Sequence, residues 1–432
     1  MPPLAARVLA PPALLLALAV LVSARPAGAT DPLNSNDKPV NGDAQKGGEP
    51  GPEAGEFNLL PIFGGSTDIG LGGGYFAGYT RMKPGFEPYL WSLDSAALVT
   101  FKPGDGGGVA VPYADLFVKW TVPTTLAGQP LRLEVRPSYT AETTILYYGI
   151  GNQVQRSLSD GRPASFTDFK RAHPALEVTA RVGIFDHFTA RGGLRYVQNW
   201  LSAAPDSKLA QDMAGGPPLV KRLLGSTDAH AVLLVQAGLQ WDTRDNEASA
   251  HHGALCSFDL RLSPGGGGEF LYRYGEASLN LRTYLPLVGP RLVLGLRFLG
   301  HALFGEVPFY ELSRFDDTYA LGGGSGVRGV PAGLFWGKAK LFGNVELRAE
   351  VLEFHAFGKA LVLGVVGFLD AGRLWADFSS QPALDGDGLG LHYGAGGGLR
   401  LQSGSAFVLR ADVAWSPDAR PIGGYFSAGQ QF

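Results

Sequence analysis

Three charged residues stand where they could act on one another: Arg328, Glu346 and Asp370. Arg328 lies in a glycine-rich stretch, Gly322 to Gly329, that can fold back on itself. A planar guanidinium fork set between two carboxylates would anchor such a stretch by charge-assisted hydrogen bonds. The same residues read equally as three solvated charges in a wet channel. Other chemistry-bearing patterns carry less. Gly324 to Gly329 spells GxGxxG, but a dinucleotide site needs that pattern between a strand and a helix, and no helical period follows. His251 and His252 are neighbours, and neighbours on a strand point to opposite faces, so they make a poor metal pair. No GxSxG elbow or P-loop occurs. The lone Cys256 excludes a disulfide scaffold and a cysteine zinc site. No catalytic residue, metal or cofactor is expected, and the chain is not read as an enzyme.

The elements that must hold these charges follow from composition and periodicity. Glycine accounts for 62 of 432 residues, where about 7% is ordinary. The glycines run along the whole chain, which points to one large, turn-rich, all-β object. Charged residues are 17%, below the usual quarter or so. The net charge of -3, without basic clusters, gives no field for nucleic acid. At the N-terminus, Arg7, the apolar run Val8 to Val22 and the small residues Ala27-Gly28-Ala29 have the layout of a secretory signal peptide over residues 1–29. Residues 30–56 hold almost no large apolar side chain, so they are read as a disordered periplasmic leader. The folded domain is expected over 57–432.

Within it the apolar period is two. Leu292, Leu294, Leu296 and Phe298 share one face, with Arg291, Val293, Gly295, Arg297 and His301 on the other. Leu341, Val345, Leu347 and Val351 alternate with Asn344, Glu346, Arg348 and Glu350. Leu361, Leu363, Val365 and Leu369 would face lipid, which turns Val362, Val366, Phe368 and Asp370 inward. Phe407, Leu409, Val413 and Trp415 alternate with Arg410 and Asp412. Alternation kept up over about 10 residues at a time marks a transmembrane barrel rather than a soluble sandwich. The pattern predicts a sixteen-stranded antiparallel barrel: 57–64, 69–80, 89–101, 109–122, 130–141, 168–184, 187–200, 228–242, 253–263, 270–286, 290–304, 341–353, 359–371, 390–402, 405–416 and 422–432. The long connections, 142–167, 201–227, 305–340 and 372–389, all follow odd-numbered strands. They share one rim, expected to face the cell exterior. Trp91, Trp120, Trp200, Trp241 and Trp375 fall near strand ends, as an interfacial girdle would.

The chain closes on Tyr425, Phe426 and Phe432. A terminal aromatic on an alternating strand resembles the signal read by outer-membrane assembly machinery. A wider resemblance covers residues 310–432. Leu321 to Val330, with Gly326-Val327-Arg328-Gly329 at its centre, resembles the loop of the BamA/TamA superfamily of assembly and translocation barrels. Asn344 to Arg348, Gly367 to Gly372 and Tyr393 to Arg400 are similar to its following strands. Tyr148 to Asn152 and Asp242 to Asn246 look like further elements of it.

The resemblance implies that the loop between strands 11 and 12 folds inward and that Arg328 meets Glu346 and Asp370. It also implies a non-enzymatic role in inserting or translocating protein or lipid at the outer membrane of a Gram-negative cell. The expected partners are outer-membrane lipid, client outer-membrane proteins or a separate periplasmic protein. Residues 30–56 are too few for a periplasmic POTRA module, so a POTRA-less member is expected. The rival expectation is a passive channel or structural surface barrel with a plugged lumen. The working edge of the leading reading would be a weak seam between a short first strand and a glycine-rich last one.

Overall fold

Alternating side chains give each strand one face for lipid and one for the interior, and the computed structural model closes those strands into a single wall. It describes residues 54–432 apart from 84–85, 87, 105–106, 157–160, 315–319, 357–358, 405–406 and 420–421. The expected signal peptide and the leader up to residue 53 lie outside the described residues.

Sixteen strands form the barrel. They are β1 (Ala54–Ser66), β2 (Gly70–Met82), β3 (Trp91–Pro103), β4 (Tyr113–Leu126), β5 (Gln129–Leu146), β6 (Asp168–Phe185), β7 (Phe188–Ala203) and β8 (His230–Asp242). Then come β9 (Gly253–Ser263), β10 (Tyr274–Val288), β11 (Leu292–Gly305), β12 (Ala339–Ala356), β13 (Lys359–Trp375), β14 (His392–Ser403), β15 (Phe407–Trp415) and β16 (Gly423–Ala428). A two-residue strand, Val109–Ala110, folds against the end of β3. Each barrel strand pairs antiparallel with its sequence neighbours, and β1 meets β16 to close the ring. Closure matters because a backbone group left unpaired in hydrocarbon costs several kcal/mol.

The outer face is apolar and open. Leu176 is 47% exposed, Leu369 53% and Val413 58%, and Trp120, Trp200 and Trp241 also point outward. A soluble monomer rarely leaves so continuous an apolar belt uncovered. The inner face buries Arg297, Asn344, Glu346, Asp370 and Asp412.

Two strand ends at the seam differ from expectation. Ala54, Gly55 and Glu56 belong to β1 rather than to the leader. The first strand is therefore 13 residues long, not short. The last strand stops at Ala428, and residues 429–432 turn into the lumen at Gly429, whose φ is 85°. The long connections, 147–167, 204–229, 306–338 and 376–391, do leave one rim, while the opposite rim carries turns as short as 127–128 and 186–187. The long ones pack Tyr147, Leu224, Phe309, Tyr310 and Trp336 with Phe169 of β6 into a buried cluster over that end of the barrel.

Topology can be tested directly. In a background without Cys256, a cysteine placed at Gly215 on the long-loop rim should react with a membrane-impermeant maleimide on intact cells. One placed at Gly128 on the short-turn rim should not. The opposite pattern would reverse the orientation.

Candidate functional site

The site is built where the 306–338 connection enters the barrel between β12 and β16. Residues Leu321, Val327, Val330, Leu334 and Phe335 pack with Phe342 of β12 and Leu374 of β13 in one buried cluster. That cluster holds the loop against the wall and sets Arg328 among inward charges. The loop conformation depends on Gly326 and Gly329. A Cβ on Gly326 would overlap the carbonyls of Ala320 and Leu321. Gly329 has φ 93° and lies against the backbone of Trp415 and Ser416.

Arg328 is fully buried. Its Nε donates to Asp370 Oδ2 at 2.7 Å and its Nη2 to Asp370 Oδ1 at 2.9 Å, a bidentate fork. Its backbone N–H adds a third bond to Oδ2 at 3.0 Å. Nη1 reaches Glu346 Oε1 at 2.7 Å and Asp412 Oδ2 at 3.1 Å. The guanidinium carbon lies 3.3 Å from the ring centre of Phe368. The structure thus brings together Arg328, Glu346 and Asp370.

Sequence reasoning missed the rest of the network. Asp412 also takes Arg400 Nη1 at 2.5 Å, Glu346 Oε2 takes Arg348 Nε at 2.8 Å, and Arg410 lies 3.8 Å from Asp412. Parity alone turns Arg348, Arg410 and Asp412 inward. What it lacks is the distance across β14, which separates Asp370 from Asp412. That strand turns Gly394, Gly396 and Gly398 inward, and a Cβ there would overlap the Arg328 carbonyl, the Phe368 ring and the Asp412 carboxylate respectively. The bare strip lets charges two strands apart meet.

The aromatic residues at the chain end do not sit together on a lipid face. Tyr425 is buried, and its hydroxyl accepts the Gly329 N–H at 2.9 Å. Phe426 pairs with Gly65 of β1. Phe432 is off the strand and buried in the lumen against Tyr284, Val293 and Ala250. Arg348 Nη2 donates to its backbone oxygen at 2.8 Å, and Gln431 Nε2 donates to Gly326 O at 3.0 Å. The tail therefore touches the same loop as the charge cluster.

Beside the seam, Asp68 in the β1–β2 turn accepts the Ala332 N–H of the loop at 3.3 Å. Burial pushes its carboxyl up to about 6, and the Ala332 N–H with the charges of Arg156 and Lys102 offset that only in part. An acid whose folded pKa lies above its unfolded value of about 3.9 binds its proton more tightly when folded. The contribution of Asp68 to the stability of the fold is therefore fully present below about pH 4 and is lost as pH rises through about 6, although the Ala332 bond itself favours the ionised form. Asp68→Asn keeps an acceptor for Ala332 and removes the buried charge. It should stabilise the protein at pH 7.5 by on the order of 1–2 kcal/mol and leave it unchanged near pH 4, read by thermal melting in detergent. An equal gain at both pH values would exclude a titrating Asp68.

A closed antiparallel ring with an apolar exterior, short turns on one rim and long loops on the other defines an outer-membrane β-barrel. The buried arginine loop narrows that class. Residues 118–432 match the Omp85 superfamily domain, and the chain belongs to that superfamily. Among solved structures it is similar to BamA from Haemophilus ducreyi lacking POTRA domains 1–3. The TM-score is 0.57 at 16% identity, over 88% of this chain and 70% of that one. It is also similar to CdiB from Escherichia coli, with a TM-score of 0.51 at 13% identity, over 86% of this chain and 62% of that one. No curated protein matches the sequence.

Proposed function

We propose that this barrel assists the insertion or translocation of protein or lipid at the outer membrane of a Gram-negative cell, working through the β1–β16 seam. One observation carries the reading. All 13 residues of β1 pair with β2, but among the described residues β1 meets β16 only at Gly65–Phe426 and Ser66–Tyr425, with one further bond from Thr67 N–H to Gly424 O at 3.1 Å. Most of the β1 edge therefore presents backbone groups without a strand partner on that side. Such an edge is a template for an incoming strand. Its weakness comes from the early end of β16 and the inward turn of the tail, not from a short first strand. Client outer-membrane proteins, surrounding lipid and a separate periplasmic protein are the partners this mechanism calls for.

The packed loop favours a second reading, a passive or structural barrel whose lumen is plugged. Reconstituted vesicles separate the two. Vesicles holding the protein should fold an unfolded client barrel several times faster than vesicles without it. Equal rates, together with unchanged bilayer conductance, would leave the structural reading.

A further inference from the structure

The half of the lumen opposite the packed loop is lined differently. Between β4 and β9 the wall encloses a cavity of about 150 Å³. It lies toward the short-turn rim, since Arg181 is near the end of β6 and Arg191 near the start of β7. Lys119, Arg136, Arg181, Arg191 and Arg261 reach it, against Glu134, Glu177 and Asp259. Two of these cations also pair with carboxylates just outside the cavity, Lys119 with Asp94 at 3.4 Å and Arg261 with Glu276 at 3.5 Å.

The carboxylates there are already engaged. Asp259 takes Arg191 Nε at 2.5 Å, Glu134 pairs with Arg181 at 3.6 Å, and Glu177 accepts from Gln236 Nε2 at 3.2 Å. Asp115, beyond the cavity, accepts from Thr140 Oγ1 at 2.6 Å. Arg136 differs from these. Its guanidinium carbon lies 4.4 Å from the Phe117 ring centre, and its buried Nε makes no hydrogen bond. A buried donor without an acceptor is costly until something arrives to accept it. The aromatic face fixes the plane of the group and leaves its edge to offer parallel donors to an oxyanion.

We propose that this cavity binds a phosphate group, either inorganic phosphate or the phosphate of a small headgroup, entering from the short-turn rim. A phosphate group is an anion with several acceptor oxygens, and it would supply the acceptor that the buried Arg136 Nε lacks. Low-dielectric walls strengthen the attraction, and arginine and lysine linings select anions and phosphate in pores generally. This site is separate from the seam and does not depend on its opening.

The test uses the whole barrel in a neutral detergent at low salt. One arm titrates sodium phosphate and the other dihexanoyl phosphatidic acid below its micellar concentration, both followed by calorimetry. At least one should bind saturably at one per barrel. Arg136→Gln and, separately, Arg181→Gln should weaken that binding about tenfold or more. Arg291→Gln, exposed near the β10–β11 turn, should leave it unchanged. Binding in the phosphate arm alone assigns a soluble anion, and binding in the lipid arm alone assigns a headgroup. Absence of saturable binding to the unaltered protein in both arms would overturn the proposal. So would unchanged affinity in an Arg136→Gln protein that keeps its folded mobility in cold SDS.

Discussion

Replacing Arg328 by alanine should free the 306–338 connection from the lumen. Arg328, Glu346, Asp370 and Asp412 have fully buried side chains. Removing one partner of such a set leaves uncompensated charge and costs about 3–5 kcal/mol. An exposed pair would cost roughly 0–1 kcal/mol. The loss falls unevenly. Glu346 keeps Arg348, and Asp412 keeps Arg400. Asp370 has both oxygens committed to Arg328. The loop can relieve that charge by leaving, which lets water reach Asp370. The ring of strand pairs remains, so the protein should still insert and still run as a folded species in cold SDS. Limited proteolysis should cut within 320–337, where the unaltered protein resists, and single-channel conductance should rise. Arg328→Lys should rescue poorly, because an ammonium cannot bridge Asp370 and Glu346 with a planar fork. The double variant Arg328→Met with Asp370→Leu should recover protease resistance better than Arg328→Ala, since no orphan charge is left at Asp370. Unchanged protease resistance in Arg328→Ala would mean that the apolar packing around Val327 and Phe335 holds the loop without the charges.

Locking the seam should abolish assembly activity. Continued by one step beyond Gly65–Phe426, the register would set Gly64 opposite Ser427. Directly opposed residues of antiparallel strands have Cα atoms about 4.5–5.5 Å apart, within disulfide reach. A Cβ on Gly64 meets nothing nearer than Phe426 O at 3.4 Å. The native Cys256 lies away on β9 and can be replaced by serine. Oxidised Gly64→Cys/Ser427→Cys protein should lose client folding by at least about tenfold, because a covalent link holds what two residue pairs cannot. Reductant should restore it, and neither single variant should differ from the parent. Full activity in the oxidised protein would place the working surface elsewhere.

Much of this molecule is written in local periodicity. Side chains along a strand alternate with period two whatever the neighbouring strands do. Counting alternating stretches therefore yields sixteen strands. The same parity puts Val365 and Leu369 outside, and turns Glu346, Asp370 and Asp412 inward. The run from Gly322 to Gly329 likewise announces a bend around Arg328 without reference to its partners.

Which inward charges meet is a property of the closed ring. Asp412 reaches Arg328 across β14 because three bare glycines let the loop and the wall approach, a distance that no single strand encodes. The seam is also beyond local reading. The expected strand runs through residue 432, with polar Gln430 as the one break in its apolar parity, yet pairing ends at Ala428, because Arg348, Arg297 and the Tyr284 pocket hold the tail inside the lumen. Those partners come from β10, β11 and β12, far from the tail in sequence. Strand parity is set residue by residue, whereas the end of a strand is set by competition between its ladder and contacts that exist only once the barrel has closed.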